Sequence, residues 1–143
     1  MLQDHAIIIG FGLPGRQAAE SLEAVGVRFC VVELNTVTVA RLVKAHVTII
    51  EGDGRDEAVL RAAGVEGAKW IIVAIPDEHT AVQIVTVARR LNTSARILAR
   101  CHYTSTSLEA LRQGANQVIV AEQAVAREMG AALDQWFVSH NDP

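Results

Sequence analysis

Residues 10 to 15 of this 143-residue chain read Gly-Phe-Gly-Leu-Pro-Gly, the spacing G-x-G-x-x-G at which main-chain N–H groups can hold a phosphate. Each glycine has its own task in that chemistry. Gly10 permits a tight turn, Gly12 lets a pyrophosphate approach the backbone, and Gly15 lets a helix pack closely on a strand. Phe11, Leu13 and Pro14 supply the backbone between them, and the anion rests on unpaired N–H groups at the helix start. Ten glycines will produce such a spacing by chance. Context decides it: the apolar run His5 to Gly10 leads into the motif and a helical pattern leaves it.

Glu33 stands 23 positions after Gly10 (33 − 10), at the tip of a second apolar run and next to Leu34. A carboxylate there accepts the hydroxyls of an adenosine ribose and repels a 2'-phosphate, and no Arg follows directly, so NADP is disfavoured. Asp53, between Gly52 and Gly54 after a third run, suits the adenosine end of the same cleft or a tight Asp-Gly turn. Arg16 in the first helical turn either meets a ligand phosphate or faces solvent. Ala74-Ile75-Pro76-Asp77 ends a fourth run, where the far end of a dinucleotide or a phosphate would lie. Arg100 interrupts a fifth and needs either a paired carboxylate or a ligand.

Constellations for catalysis are missing. Tyr103 has Ser107, not Lys, four places on, no G-x-S-x-G occurs, and no length remains for the substrate half of a dehydrogenase. The five histidines are scattered without metal-ligand spacing, and Cys30 and Cys101 lie in separate apolar runs, so neither a metal nor a disulfide is expected. A net charge of −3 gives no footprint for nucleic acid. No apolar run reaches the ~20 residues of a membrane span and no leader is expected, which places the chain in the cytoplasm.

Half of the residues are hydrophobic, mostly Val, Ile, Leu and Ala, as in buried parallel strands sheathed by helices. Short apolar runs alternate with helical periods. Strands are predicted at residues 5–10, 28–33, 47–51, 70–75, 96–101 and 117–121, and helices at 15–25, 36–44, 58–63, 80–91, 107–113 and 123–136. Right-handed crossovers then give an α/β, Rossmann-like, doubly wound parallel six-stranded sheet in the order 3-2-1-4-5-6, with a C-terminal helix. The domain spans 1–137, and 138–143 read as a disordered tail.

With these blocks placed, residues 4 to about 136 resemble the N-terminal lobe of the regulators of potassium conductance (RCK), the TrkA-N family. GDGRDEAVLRAAGV, AKWIIVAIPDEHTA and GANQVIVAEQAVAREM are most similar to the cytosolic domains of Kef-type cation/proton antiporters. The resemblance implies an adenine nucleotide, AMP or NAD(H), with ATP and ADP also family ligands. It implies phosphate on the glycine loop, ribose on Glu33 and the adenosine end at Asp53. It also implies pairing of two copies through their last helices and regulation of an integral membrane cation transporter, in the same chain or as a separate subunit. Many relatives carry Arg two places before the third glycine, where this chain has Leu13, with Arg16 just after; the number of phosphates held stays open.

The last helix places Ala124, Val125, Met129, Ala132, Leu133, Trp136 and Phe137 largely on one side, so it either covers the sixth strand or forms a two-fold interface. The expectation is a regulatory, non-enzymatic nucleotide-binding domain of a potassium or cation/proton antiporter system, at the inner face of the membrane. An NAD-dependent oxidoreductase domain lacking its substrate half is the alternative.

Overall fold

A computed structural model describes residues 2–138. The chain alternates β1 (His5–Ile9), α1 (Leu13–Ala24), β2 (Phe29–Glu33), α2 (Thr36–Lys44), β3 (Ile49–Glu51), α3 (Glu57–Ala62), a 3-10 turn (Val65–Gly67), β4 (Ala68–Val73), α4 (Glu78–Leu91), β5 (Arg96–Cys101), α5 (Thr104–Gln113), β6 (Gln117–Val120) and α6 (Ala121–Val138). The six strands form one parallel sheet in the order β3-β2-β1-β4-β5-β6, as the alternation of apolar runs requires.

β1 lies at the centre and is buried along its whole length. Helices cover both of its faces, so each side chain faces apolar neighbours whichever way the pleat turns it. Ile7 and Ile9 pack with Val32, Leu60, Ile71 and Ile84 in the larger core cluster. Ile8, pointing the other way, packs with Ala19 of α1, Val31 and Leu42 of α2. Asn92 closes the foot of the sheet: its buried side chain donates to the carbonyls of Val65 and Ala68 and accepts from the Ala95 N–H.

The boundaries differ from the sequence reading by up to three residues, and four of the shifts have a local reason. α1 starts at Leu13, not 15, because Pro14 in the first turn gives up an N–H that has no partner there. β3 starts two residues late because the N–H of Val47 is spent on the Leu42 carbonyl in leaving α2. β4 runs 68–73 rather than 70–75: Gly10 turns away at φ +91°, leaving Ala74 one last bond to the Ile9 carbonyl and putting Ile75 in the loop. α4 begins at Glu78 because the Asp77 carboxylate accepts from the Thr80 N–H at 2.8 Å.

No residue of α6 is buried, and Val125, Met129, Leu133 and Phe137 are exposed. The helix therefore does not blanket the sixth strand, the first of the two uses its apolar stripe suggested. Val138 continues it; the rest of the expected tail lies outside the described residues.

Gly15 and Gly12 differ sharply in what a side chain would meet. A Cβ on Gly15 would run into the Gly10 carbonyl, whereas one on Gly12 would have nothing within 4 Å. Gly15→Ala is expected to lower stability by about 1–3 kcal/mol through overpacking. Gly12→Ser, with a capping side chain, should stay within about 1 kcal/mol of the parent. Thermal melts of the two variants check the contrast.

Candidate functional site

The strand order reverses at β1, which pairs with β2 on one side and β4 on the other. The chains leaving β1 and β4 part there, and the crevice between them opens at the carboxyl ends of the strands. Gly10 ends β1 so close to the neighbouring loop that a Cβ on it would sit 2.7 Å from Ile75 Cγ2. The chain then enters α1 through Gly12, whose N-cap position has no side-chain hydrogen bond. The N–H groups ahead of Arg16, the first to bond back to the Gly12 carbonyl, have no carbonyl inside the helix. They and the positive end of the helix dipole suit an anion, and the open space at Gly12 lets it approach.

Glu33 ends β2 beside this loop. One carboxylate oxygen accepts from the Phe11 N–H at 2.7 Å and the other from the Asn35 N–H at 3.0 Å. The two bonds fix the carboxylate against the glycine loop. They also leave each oxygen a further lone pair, which fits the adjacent hydroxyls of a ribose.

A cleft of about 250 Å³ follows, lined by Gly10, Glu33, Leu34, Asp53 to Arg55 and Ile75 to Asp77, with Ile9, Val32, Gly52, Thr80 and Ile84 completing its walls. Gly54 is buried, and a Cβ there would strike Ile9 and Ile84. Asp53 does not stand alone. The Arg55 guanidinium bonds both its carboxylate oxygens, with Nη2 at 2.7 Å from Oδ2, and the Arg55 N–H reaches Oδ1 at 2.8 Å. The side-chain bond first, then the backbone bond, hold the Asp53 carboxyl below the usual carboxylate range. The Thr80 N–H does the same for Asp77 on the opposite wall. Behind it, Glu78 accepts from the N–H groups of His102 and Tyr103 and ties the β4 and β5 loops together.

The residues singled out by sequence therefore divide. Gly10, Glu33, Leu34, Asp53, Gly54 and Ile75 meet in one cleft, with Phe11 to Gly15 forming the adjoining loop and Ala74 buried behind it. Leu13 is 79% exposed, and Arg16 lies at the surface of the first helical turn. Arg100 is not among them. It lines a separate, largely apolar groove between α1 and the outer strands, with Ile72, Leu98 and Ile119, and has no ion-pair partner among the described residues. Sequence reasoning gave Arg55 no role, set Asp77 only at the end of the fourth strand, and read Thr80 only as the start of the next helix. The Asp-x-x-Thr step ahead of an amphipathic run was a readable capping signal for the last two; nothing local marked Arg55 as facing the cleft. Among the described residues no group of His, Cys, Asp and Glu is arranged to hold a metal ion, and no helix is long and apolar enough to cross a membrane.

Against known proteins, the pattern of the TrkA-N domain matches residues 6–121. The cation/proton antiporter YbaL of Escherichia coli K12, so named provisionally, is 34% identical over 131 residues, which cover 92% of this chain and 24% of that protein. The chain thus spans about a quarter of this relative. The crystal structure of the TrkA-N domain of inner membrane protein YbaL superposes with a TM-score of 0.88 at 33% identity, covering 92% of this chain and 98% of that one. Two less similar structures share the fold. The AMP-bound Kef C-terminal domain of Shewanella denitrificans has a TM-score of 0.79 at 23% identity, covering 92% of this chain and 80% of that one. The GsuK channel bound to NAD has a TM-score of 0.74 at 24% identity, covering 82% and 21%. With the glycine loop, the carboxylate at the end of β2 and the match over most of its length, this chain belongs to the TrkA-N domain family.

Proposed function

We propose that this domain binds an adenine nucleotide, AMP or NAD(H), without transforming it, and regulates a cation/proton antiporter or potassium transport system at the inner face of the membrane. The observation that carries the reading is Glu33, held between the Phe11 and Asn35 N–H groups with lone pairs to spare beside an uncapped helix start. Relatives named as antiporters, and similar folds named as AMP- or NAD-bound, support it. The phosphate rests on residues 11–15, the ribose on Glu33, and the base in the cleft toward Asp53 and Leu34. ADP and ATP are weaker candidates, because Leu13 stands where an additional cation would help hold further phosphates.

The signal leaves through α6. Its exposed Val125, Met129, Leu133 and Phe137 form a stripe suited to a second copy of the chain, and a two-fold pair is the commonest closed arrangement. The small residues Ala126 and Gly130 let a partner helix approach.

Three measurements test this reading. Glu33→Ala should weaken AMP and NAD at least tenfold in calorimetry, since bonds to a charged acceptor contribute about 1.5–3 kcal/mol each; unchanged affinity, or a preference for NADP, rejects the ribose assignment. NADH incubated with the domain and candidate carbonyl compounds should keep its reduced-nicotinamide absorbance, and a protein-dependent loss would replace the regulatory reading with an oxidoreductase. Light scattering should show a dimer at micromolar concentration that Leu133→Asp with Phe137→Asp dissociates while AMP binding persists. A parent that remains monomeric at high concentration removes α6 as the interface.

A further inference from the structure

We infer that Arg55, rather than Asp53, is the side chain that meets the base in the cleft, and that Asp53 serves to hold its guanidinium in place. This rests on the reading of the site as an adenine-nucleotide site. A carboxylate offers about four acceptor positions, two on each oxygen. On Asp53, Oδ1 accepts from the Arg55 N–H at 2.8 Å and from Nε at 3.1 Å; Oδ2 accepts from Nε at 3.1 Å and from Nη2 at 2.7 Å. Three N–H groups of one neighbour, with the single Nε–H shared between both oxygens, occupy the carboxylate and leave at most one of the four positions open. An adenine amino group at Asp53 would have to compete with these charge-assisted bonds inside the protein, and such bonds are the stronger kind.

Arg55 has donors left. Its guanidinium carries five N–H groups, of which Asp53 engages the Nε edge and one on Nη2. Nη1 makes only a long 3.4 Å contact with Gln83 Oε1. Arg55 lines the same cleft as Glu33 and Asp77, so the unspent N–H groups and the flat guanidinium face are available to a ligand there. Planarity and fixed orientation suit a purine, which offers ring-nitrogen lone pairs and a π face.

A phosphate is the other group a guanidinium takes, and the surroundings speak against it. Glu33, Asp53 and Asp77 bring three carboxylates to a cleft in which Arg55 is the basic residue. The lining reaches the glycine loop only at Gly10, so the phosphate position on residues 11–15 lies outside it. Asp53 thus turns this corner of the site from an acceptor into a donor.

The test is calorimetry of AMP and of adenosine, which lacks the phosphate, on the full chain. Arg55→Ala should weaken both by the same factor, roughly ten- to hundredfold, the range for a hydrogen bond from a charged donor. Arg55→Lys, which keeps the charge but not the planar fork, should not restore them. The melting temperature without ligand should barely move, since the pair is substantially exposed. Unchanged or tighter binding by Arg55→Ala overturns the inference and makes Asp53 the direct reader. A loss seen with AMP but not adenosine overturns it in favour of a phosphate contact, and full affinity in Arg55→Lys reduces it to simple charge. A parent that binds neither compound brings down the nucleotide reading itself, a result separable from all the others.

Discussion

The close approach of the Gly10 carbonyl to Gly15 is the constraint from which the remaining architecture follows. Without a side chain at 15, the first turn of α1 lies against the end of β1, and the helix start opens over the carboxyl edge of the sheet. Gly10 also turns tightly enough to pass under Ile75, which draws the β4 loop to the same point. Three segments distant in sequence then share a boundary, and Glu33 closes it by bonding Phe11 from the neighbouring strand. A larger residue at 10 or 15 would separate the segments and take the cleft with them.

Much of this was readable beforehand because parallel sheets announce themselves. Ile7, Ile8 and Ile9 are consecutive and apolar because both faces of β1 are covered, and a strand-loop-helix glycine pattern follows directly. Strand order follows from right-handed crossovers between six alternating units. Less readable were features set by which partner a group finds in three dimensions. The six strands are parallel, so every carboxyl-end loop gathers at one edge, but only the folded chain shows that Arg55 spends its fork on Asp53 two residues away. Arg100 is the converse case. Its charge in an apolar run invited a ligand or a carboxylate, yet alternation along β5 puts it on the α1 face of the sheet, half-buried in an open groove beside that helix.

The site combines opposite electrical demands within a small space. The start of α1 favours negative charge, while Glu33, Asp53 and Asp77 oppose it a strand or two away. A molecule carrying its anion at one end and a neutral, hydrogen-bonding ring system at the other meets both demands at once; a ligand with charge along its length does not. The fixed carboxylates need no rearrangement to present this contrast, because backbone N–H groups already hold Glu33 and Asp77 in place.

α6 follows β6 with no intervening residue: Val120 ends the strand and Ala121 begins the helix. Its direction is therefore set by the sheet itself, without a hinge to absorb error. Eighteen residues at about 1.5 Å each make a rod of roughly 27 Å. Because every strand of a parallel sheet ends on the same side, the rod is rooted on the edge that holds the cleft. A tilt of about 10° at its root would carry its tip through roughly 5 Å by the geometry of that length. Such a displacement is about one helical turn, enough to move one set of side chains out of register with another.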